Sequence, residues 1–182
     1  MHKPIEEILK ILKDGNQRFI DDKEKNYNFI QTRKRLIKKQ DPFVIILSCS
    51  DSRVTPEIIF NTNLNEIFNI RIAGNIVNED ILESIQYTLN EFNCSTVIIL
   101  GHENCGAIQM TIDGIDNDIT QKIKKVIEES DDKDTIIDKN IQQSVDEIKN
   151  YLEENGILNK FVIGAKYSLK SGKVKFLDGE EK

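Results

Sequence analysis

The chain has 182 residues, with 25 Lys+Arg against 31 Asp+Glu and a formal net charge of −6. That length suits a single domain, residues 1–182, burying roughly 70% of the surface of its unfolded chain, so no disulfide framework is needed. The acidic balance argues against broad nucleic-acid binding, which rests on basic patches that displace counterions, and no apolar run approaches the ~18 residues of a membrane span.

The start, Met1 to Glu7, leads into an acidic amphipathic pattern and not into a signal-peptide core. Ile5, Ile8, Leu9, Ile11, Leu12 and Phe19 recur at helical spacing, which predicts a helix over 5–20. Asn26-Tyr27-Asn28-Phe29 reads as a polar-aromatic loop, and a short helix over 32–39 completes an N-terminal helical arm, 1–40. The basic run Arg33-Lys34-Arg35 with Lys38 and Lys39 reads as a solvated helix face. Residues 43–47 are apolar on both faces and β-branched, the pattern of a buried parallel strand. A second strand is predicted over 66–71, a helix over 79–92 and a third strand over 96–100. Residues 113–134 are charge-rich and weakly patterned, with a short helix over 119–128, and are expected to be mobile. A helix over 135–155 closes at Gly156. Strands over 160–169 and 173–177, joined by Lys170-Ser171-Gly172, form a hairpin. The alternation predicts an α/β domain: a mainly parallel central sheet flanked by helices, with an antiparallel C-terminal strand pair.

Ligands bind open parallel sheets beyond the carboxyl ends of the strands. Two such ends here carry metal-binding chemistry. One offers Cys49, with Asp51 and Arg53 following; the other offers His102 and Cys105 in a His-x-x-Cys spacing. If the two strands are neighbours, two sulfurs and one imidazole can converge on one ion, and that donor set selects zinc. Three protein ligands leave a coordination position for water, which leans toward a catalytic site. Taken alone, a strand-end cysteine is usually a small hydrophobe. Cys94, with no partner motif, reads as packing and His2 as a solvated terminal residue. With neither a membrane span nor a signal-peptide core the protein is expected to be cytoplasmic, where thiols stay reduced, and three cysteines at wide spacings form no disulfide framework.

These residues resemble a known family. Ser48-Cys49-Ser50-Asp51-Ser52-Arg53-Val54 with Pro56-Glu57, then Arg71-Ile72-Ala73-Gly74-Asn75, then Leu100-Gly101-His102-Glu103-Asn104-Cys105-Gly106-Ala107 are similar to the motifs of β-class carbonic anhydrases, in the family's order. The closing strand pair, 164–177, is similar too, and the resemblance runs over about 5–177. It implies one zinc per chain on Cys49, His102 and Cys105, with Asp51 and Arg53 as the catalytic pair beside the metal. Gripped by Arg53, Asp51 would orient zinc-bound hydroxide; released, it would become a fourth zinc ligand and close the site. The Gly106 N–H would bind bicarbonate, Gln40 would contact substrate, and Phe68 and Tyr87 would line the site, partly across a subunit boundary. Without the resemblance both aromatics read as core. Ala73 would set pocket width, and Ile46 replaces the tryptophan of an inhibitory bicarbonate site.

The function implied is reversible hydration of carbon dioxide to bicarbonate and a proton, by a homodimer or a tetramer. A carbon disulfide or carbonyl sulfide hydrolase on the same scaffold, and a non-catalytic zinc-binding protein, are the alternatives. Zinc at +2 with two thiolates and a neutral imidazole sums to zero, so its water should be acidified less than at a +2 centre, and activity should weaken at acidic pH. No histidine besides His102 lies near the motifs to shuttle protons.

Overall fold

The computed structural model describes residues 3–92, 94–128 and 130–177; His2 lies outside them. A five-stranded sheet runs in the order β2-β1-β3-β4-β5. Its strands are β1 (Val44–Ser48), β2 (Ile67–Arg71), β3 (Thr96–His102), β4 (Phe161–Tyr167) and β5 (Val174–Phe176). The first four are parallel and only β5 pairs antiparallel, against β4. The chain steps from β1 outward to β2, then crosses back to lay β3 on β1's other side. Strand order therefore reverses between β1 and β3, the position where such sheets open a ligand crevice.

Strand alternation divides the core in two. Ile45, Leu47 and Cys49 of the first strand and its extension face one layer, with Val97 and Ile99 of β3. That layer is covered by α4 (Glu79–Glu91), α5 (Gly106–Ile112), α6 (Asp118–Lys124) and α7 (Lys133–Glu154). Val44, Ile46, Ile98 and Leu100 face the other layer, covered by α1 (Ile5–Ile20) and α3 (Pro56–Ile59). The short α2 (Phe29–Arg35) is carried on the N-terminal arm.

The amphipathic α1 suggests a face awaiting a second chain. Instead its apolar stripe is satisfied at home: Ile8 and Leu12 are fully buried with Phe60 and Phe176, each burial favourable by roughly 1.5–3 kcal/mol. Buried Asn16 fastens the helix further, donating to the Ile59 and Gly172 carbonyls at 3.1 and 2.8 Å and accepting from the Val174 N–H at 2.9 Å.

Several boundaries differ from the predicted ones for local reasons. The second helix begins earlier than 32 because the Asn28 side chain caps it, accepting from the Gln31 N–H. β3 extends past Leu100 because Gly101 has no side chain: a Cβ there would lie 2.5 Å from the Ile141 side chain of α7. The weakly patterned 113–134 stretch contains α6, started by a capping box between Asn117 and Thr120, with Ile123 fully buried. The basic residues Arg33, Lys34, Arg35, Lys38 and Lys39 are exposed, as a solvated face requires. Among the described residues, no helix is long and apolar enough to cross a membrane.

Candidate metal centre

β1 and β3 pair in parallel with Ser48 opposite Leu100. That register brings the residues just beyond both strand ends together. Cys49 leaves β1, His102 is the last residue of β3, and Cys105 is the N-cap of α5. Their ligating atoms lie within 4.8 Å of one another, and all three residues are buried. The two sulfurs are 4.0 Å apart, close to the ~3.8 Å set by two ~2.3 Å bonds at a tetrahedral zinc.

The imidazole supplies the test of fit. Its Nδ1 is 2.8 Å from the Glu103 carbonyl oxygen, which assigns the ring proton to Nδ1 and a lone pair to Nε2. Nε2 is buried and has no hydrogen-bond partner, an arrangement that otherwise costs about 1–3 kcal/mol. An ion between Nε2 and the two sulfurs removes that penalty, and the carbonyl behind the ring is the support a metal-bound histidine ordinarily has. Soft sulfur with imidazole fits zinc.

The cysteines divide their charge unequally. The contact with the Cys105 thiol lowers the Cys49 pKa, against the opposing effect of burial. The same contact, with burial, pushes Cys105 up. The Gly74 N–H, 3.3 Å from Cys49 Sγ, also favours the thiolate. Cys94 is a packing residue: buried, pushed up to about 12 by desolvation, with its thiol on the Pro42 carbonyl at 3.0 Å.

Beside this cluster, Arg53 grips Asp51 with two donors, Nε to Oδ1 at 2.9 Å and Nη2 to Oδ2 at 2.7 Å. The Arg53 N–H adds a third bond to Oδ1. The guanidinium holds the Asp51 carboxyl well below the usual carboxylate range, and the carboxylate is not part of the three-residue cluster. Arg71 braces this loop from β2, donating to the Cys49 and Asp51 carbonyls at 3.2 and 2.7 Å. The sequence gives Arg71 no role beyond its place in a motif. Only the fold shows it bridging strands.

The residues that the resemblance implies as substrate contacts separate into two groups. Ala73 precedes Gly74 in a 3₁₀ turn (Ala73–Asn75) against Cys49, and Gly106 heads α5 beside Cys105 with open space where a Cβ would stand. A cleft of about 430 Å³ opens there, lined among others by Cys105, Gly106, Ile108, Lys133 and Ile137. Gln40, Phe68 and Tyr87 do not join this site within one chain. Gln40 is exposed before the start of β1, and at about 3.3 Å per residue the strand alone sets it ~16 Å from Cys49. Phe68 pairs with Ile45, roughly 13 Å back along β1 by the same spacing. Tyr87 is 52% exposed and meets Phe92 edge-on at 5.9 Å, so it is not the core residue its helical spacing suggests.

Comparison with known proteins agrees with this geometry. Residues 44–174 match the family described as carbonic anhydrase. The chain is 35% identical over 108 residues to a carbonic anhydrase of Mycolicibacterium smegmatis, covering 59% of this chain and 52% of that protein. It is 35% identical over 109 residues to carbonic anhydrase 2 of Mycobacterium tuberculosis, covering 59% and 53%. The chain thus spans about half the length of these curated relatives. In fold it is similar to a tetrameric β-carbonic anhydrase of Sordaria macrospora, with TM-score 0.67 and 21% identity over 82% of this chain and 87% of that one. A β-carbonic anhydrase of Aspergillus fumigatus aligns with TM-score 0.69 and 18% identity over 97% and 91%. A crevice built at the strand-order reversal, with two sulfurs and one imidazole in it, is thus found in a chain that belongs to the carbonic anhydrase family, in its β class.

Proposed function

We propose that the protein catalyses the reversible hydration of carbon dioxide to bicarbonate and a proton, with one zinc per chain on Cys49, His102 and Cys105. The observation that carries this reading is the unpartnered Nε2 of His102 facing two sulfurs, beside a carboxylate fully engaged by arginine. Zinc held there supplies a Lewis acid that makes water a nucleophile near neutral pH.

The chain's own groups do the rest. Asp51, held ionised by Arg53, can only accept a hydrogen bond. It therefore favours an attacking oxygen that still carries a proton and turns that oxygen's lone pair toward the substrate. The two donors of Arg53 also keep Asp51 from swinging onto the metal. The Gly106 N–H, at the head of α5 where amides lack helical partners, donates to the bicarbonate oxygen. Ile108 and Ile137 put apolar side chains in the wall of the cleft, suited to a small uncharged substrate.

The functional unit is a homodimer. Gln40, Phe68 and Tyr87 can contact substrate only across a subunit boundary, and exposed Phe29, Ile30, Ile37 and Tyr87 offer apolar surface for one. Pairing of dimers would make a tetramer. The arm, residues 1–40, belongs to the same domain as the rest, since α1 packs on the same sheet. A centre that needs two reduced thiols is suited to the cytoplasm.

Zinc analysis with stopped-flow carbon dioxide hydration from pH 6 to 9 tests the reading. The expected result is about one zinc per chain and rapid hydration. Zinc-loaded protein no faster than buffer would overturn it, and carbonyl sulfide in the same assay separates the two substrates.

A further inference from the structure

The helix α7 buries an apolar stripe that includes Ile136, Ile137, Ile141, Val145, Ile148 and Leu152. Two polar residues interrupt it, Asn140 at 2% and Ser144 at 3% exposure. Burying an amide and a hydroxyl is unfavourable unless each is bonded; Asn140 reaches the Gly74–Asn75 turn, and the Ser144 hydroxyl is shared between that turn and its own helix. Asn140 Nδ2 donates to the Gly74 carbonyl at 2.9 Å, and Ser144 Oγ lies 3.0 Å from the Asn75 carbonyl and 3.1 Å from that of Asn140.

The turn they hold is an unusual one. Gly74 and Asn75 are consecutive residues in the left-handed region, at φ +71° and +45°. Glycine takes that region freely and asparagine more readily than other side chains, so the local sequence permits the turn and the bonds from α7 anchor it. The turn's product is the Gly74 N–H aimed at Cys49 Sγ, 3.3 Å away. The helix reaches deep enough to hold it because glycines lie beneath Ile141: a Cβ on Gly101 or Gly164 would come within 2.5 or 2.8 Å of that side chain.

We infer that Asn140 and Ser144 are positioning residues for the metal centre: they fix the Ala73–Asn75 turn so that its amide supports the Cys49 thiolate as a zinc ligand. This rests on the zinc reading above and adds a layer to it, from α7 through the turn to the sulfur. An amide bonded to a metal-bound sulfur withdraws charge from it, so its placement sets both zinc affinity and the metal–sulfur electronic structure.

The test compares Asn140→Ala, Ser144→Ala and Ser144→Thr with Val145→Ala, which loses buried volume from the same helix but no hydrogen-bonding group. Zinc affinity is measured by chelator competition, and the thiolate-to-metal charge-transfer band is recorded on cobalt-substituted protein. Both alanine variants at 140 and 144 should bind zinc about tenfold more weakly, a loss typical of outer-layer partners, and should shift the band. Ser144→Thr should recover both, and Val145→Ala should change neither. Wild-type affinity and an unshifted band in Ser144→Ala would overturn the inference, as would equal effects in Val145→Ala. If Asn140→Ala does not fold, the Ser144 pair decides alone. Wild-type protein that takes up no zinc would instead overturn the underlying functional reading.

Discussion

Replacing Gly74 by alanine should disturb the fold and the metal centre by separable amounts. The residue sits at φ +71°, ψ 14°, where an L side chain costs about 1–2 kcal/mol. The added methyl would lie 3.0 Å from both the Ala107 Cβ and the Ile123 Cδ1. Ile123 can rotate slightly, whereas the Ala107 Cβ moves only with its backbone, so crowding adds to the torsional cost. Reduced freedom of the unfolded chain returns about 0.4–1 kcal/mol, leaving a net loss of about 1–2 kcal/mol. At this size each kcal/mol is about 2–4 °C, so the zinc-free protein should melt roughly 2–8 °C lower. Relief of the crowding also draws the Gly74 N–H away from Cys49 Sγ and weakens zinc binding about tenfold. In excess zinc that is a further loss of about 1.4 kcal/mol. Calorimetry of Gly74→Ala and wild type, with and without zinc, should show the larger drop in the zinc-loaded pair. Equal drops in both states would refute the link between turn and metal, and no drop in either would refute the strain argument.

Cys105→Ala leaves two ligands and should abolish stoichiometric zinc and hydration together, read by metal analysis and stopped flow. Asp51→Asn should retain zinc yet lose about a hundredfold or more in turnover, because an amide donates as well as accepts and no longer selects a protonated attacking oxygen; wild-type turnover would remove Asp51 from the mechanism. Because Arg53 depresses the Asp51 pKa below 3.8, the stability this pair contributes is complete above about that pH. It is lost only as pH falls through the lower folded value, so wild type and Asp51→Asn should differ in stability by a constant amount between about pH 5 and 8 and converge in stronger acid. Zinc removal should leave Cys49 the first thiol to react, its thiolate favoured by the Cys105 contact and the Gly74 N–H, while Cys94, pushed up to about 12 by desolvation, stays inert. Thiol labelling with mass mapping reads the order. Hydration should rise from pH 6 toward pH 9, since two thiolates cancel the zinc charge and its water is acidified less; a flat profile would refute the charge argument.

The sequence announces the metal centre better than it announces the parts that hold it. Apolar, β-branched runs mark β1 and β3 because both are buried on two faces, and the chemistry follows directly at their ends. α6 is legible as the short helix over 119–128, but its end is not, because with only Thr120 and Ile123 buried too few positions mark a period. Gln40 and Tyr87 carry no local sign that they stand apart from the metal in their own chain; that depends on which end of β1 and which face of α4 they occupy. Asn140 and Ser144 do leave a trace, two polar residues in phase with the apolar stripe of α7. Their target, a turn 66 and 69 residues earlier, is set by how deeply the helix settles on the sheet and has no signature in the linear chain.

The pairing of Ser48 with Leu100 makes the ion a proofreader of alignment. Side chains alternate along a strand, so a slip of one step between β1 and β3 would turn Cys49 to the opposite layer while His102 and Cys105 stayed behind. A misthreaded molecule would keep most of its greasy interior and still fail to capture metal. Uptake of zinc by a purified batch is therefore a count of correctly threaded molecules, a stricter measure than compactness or helix content.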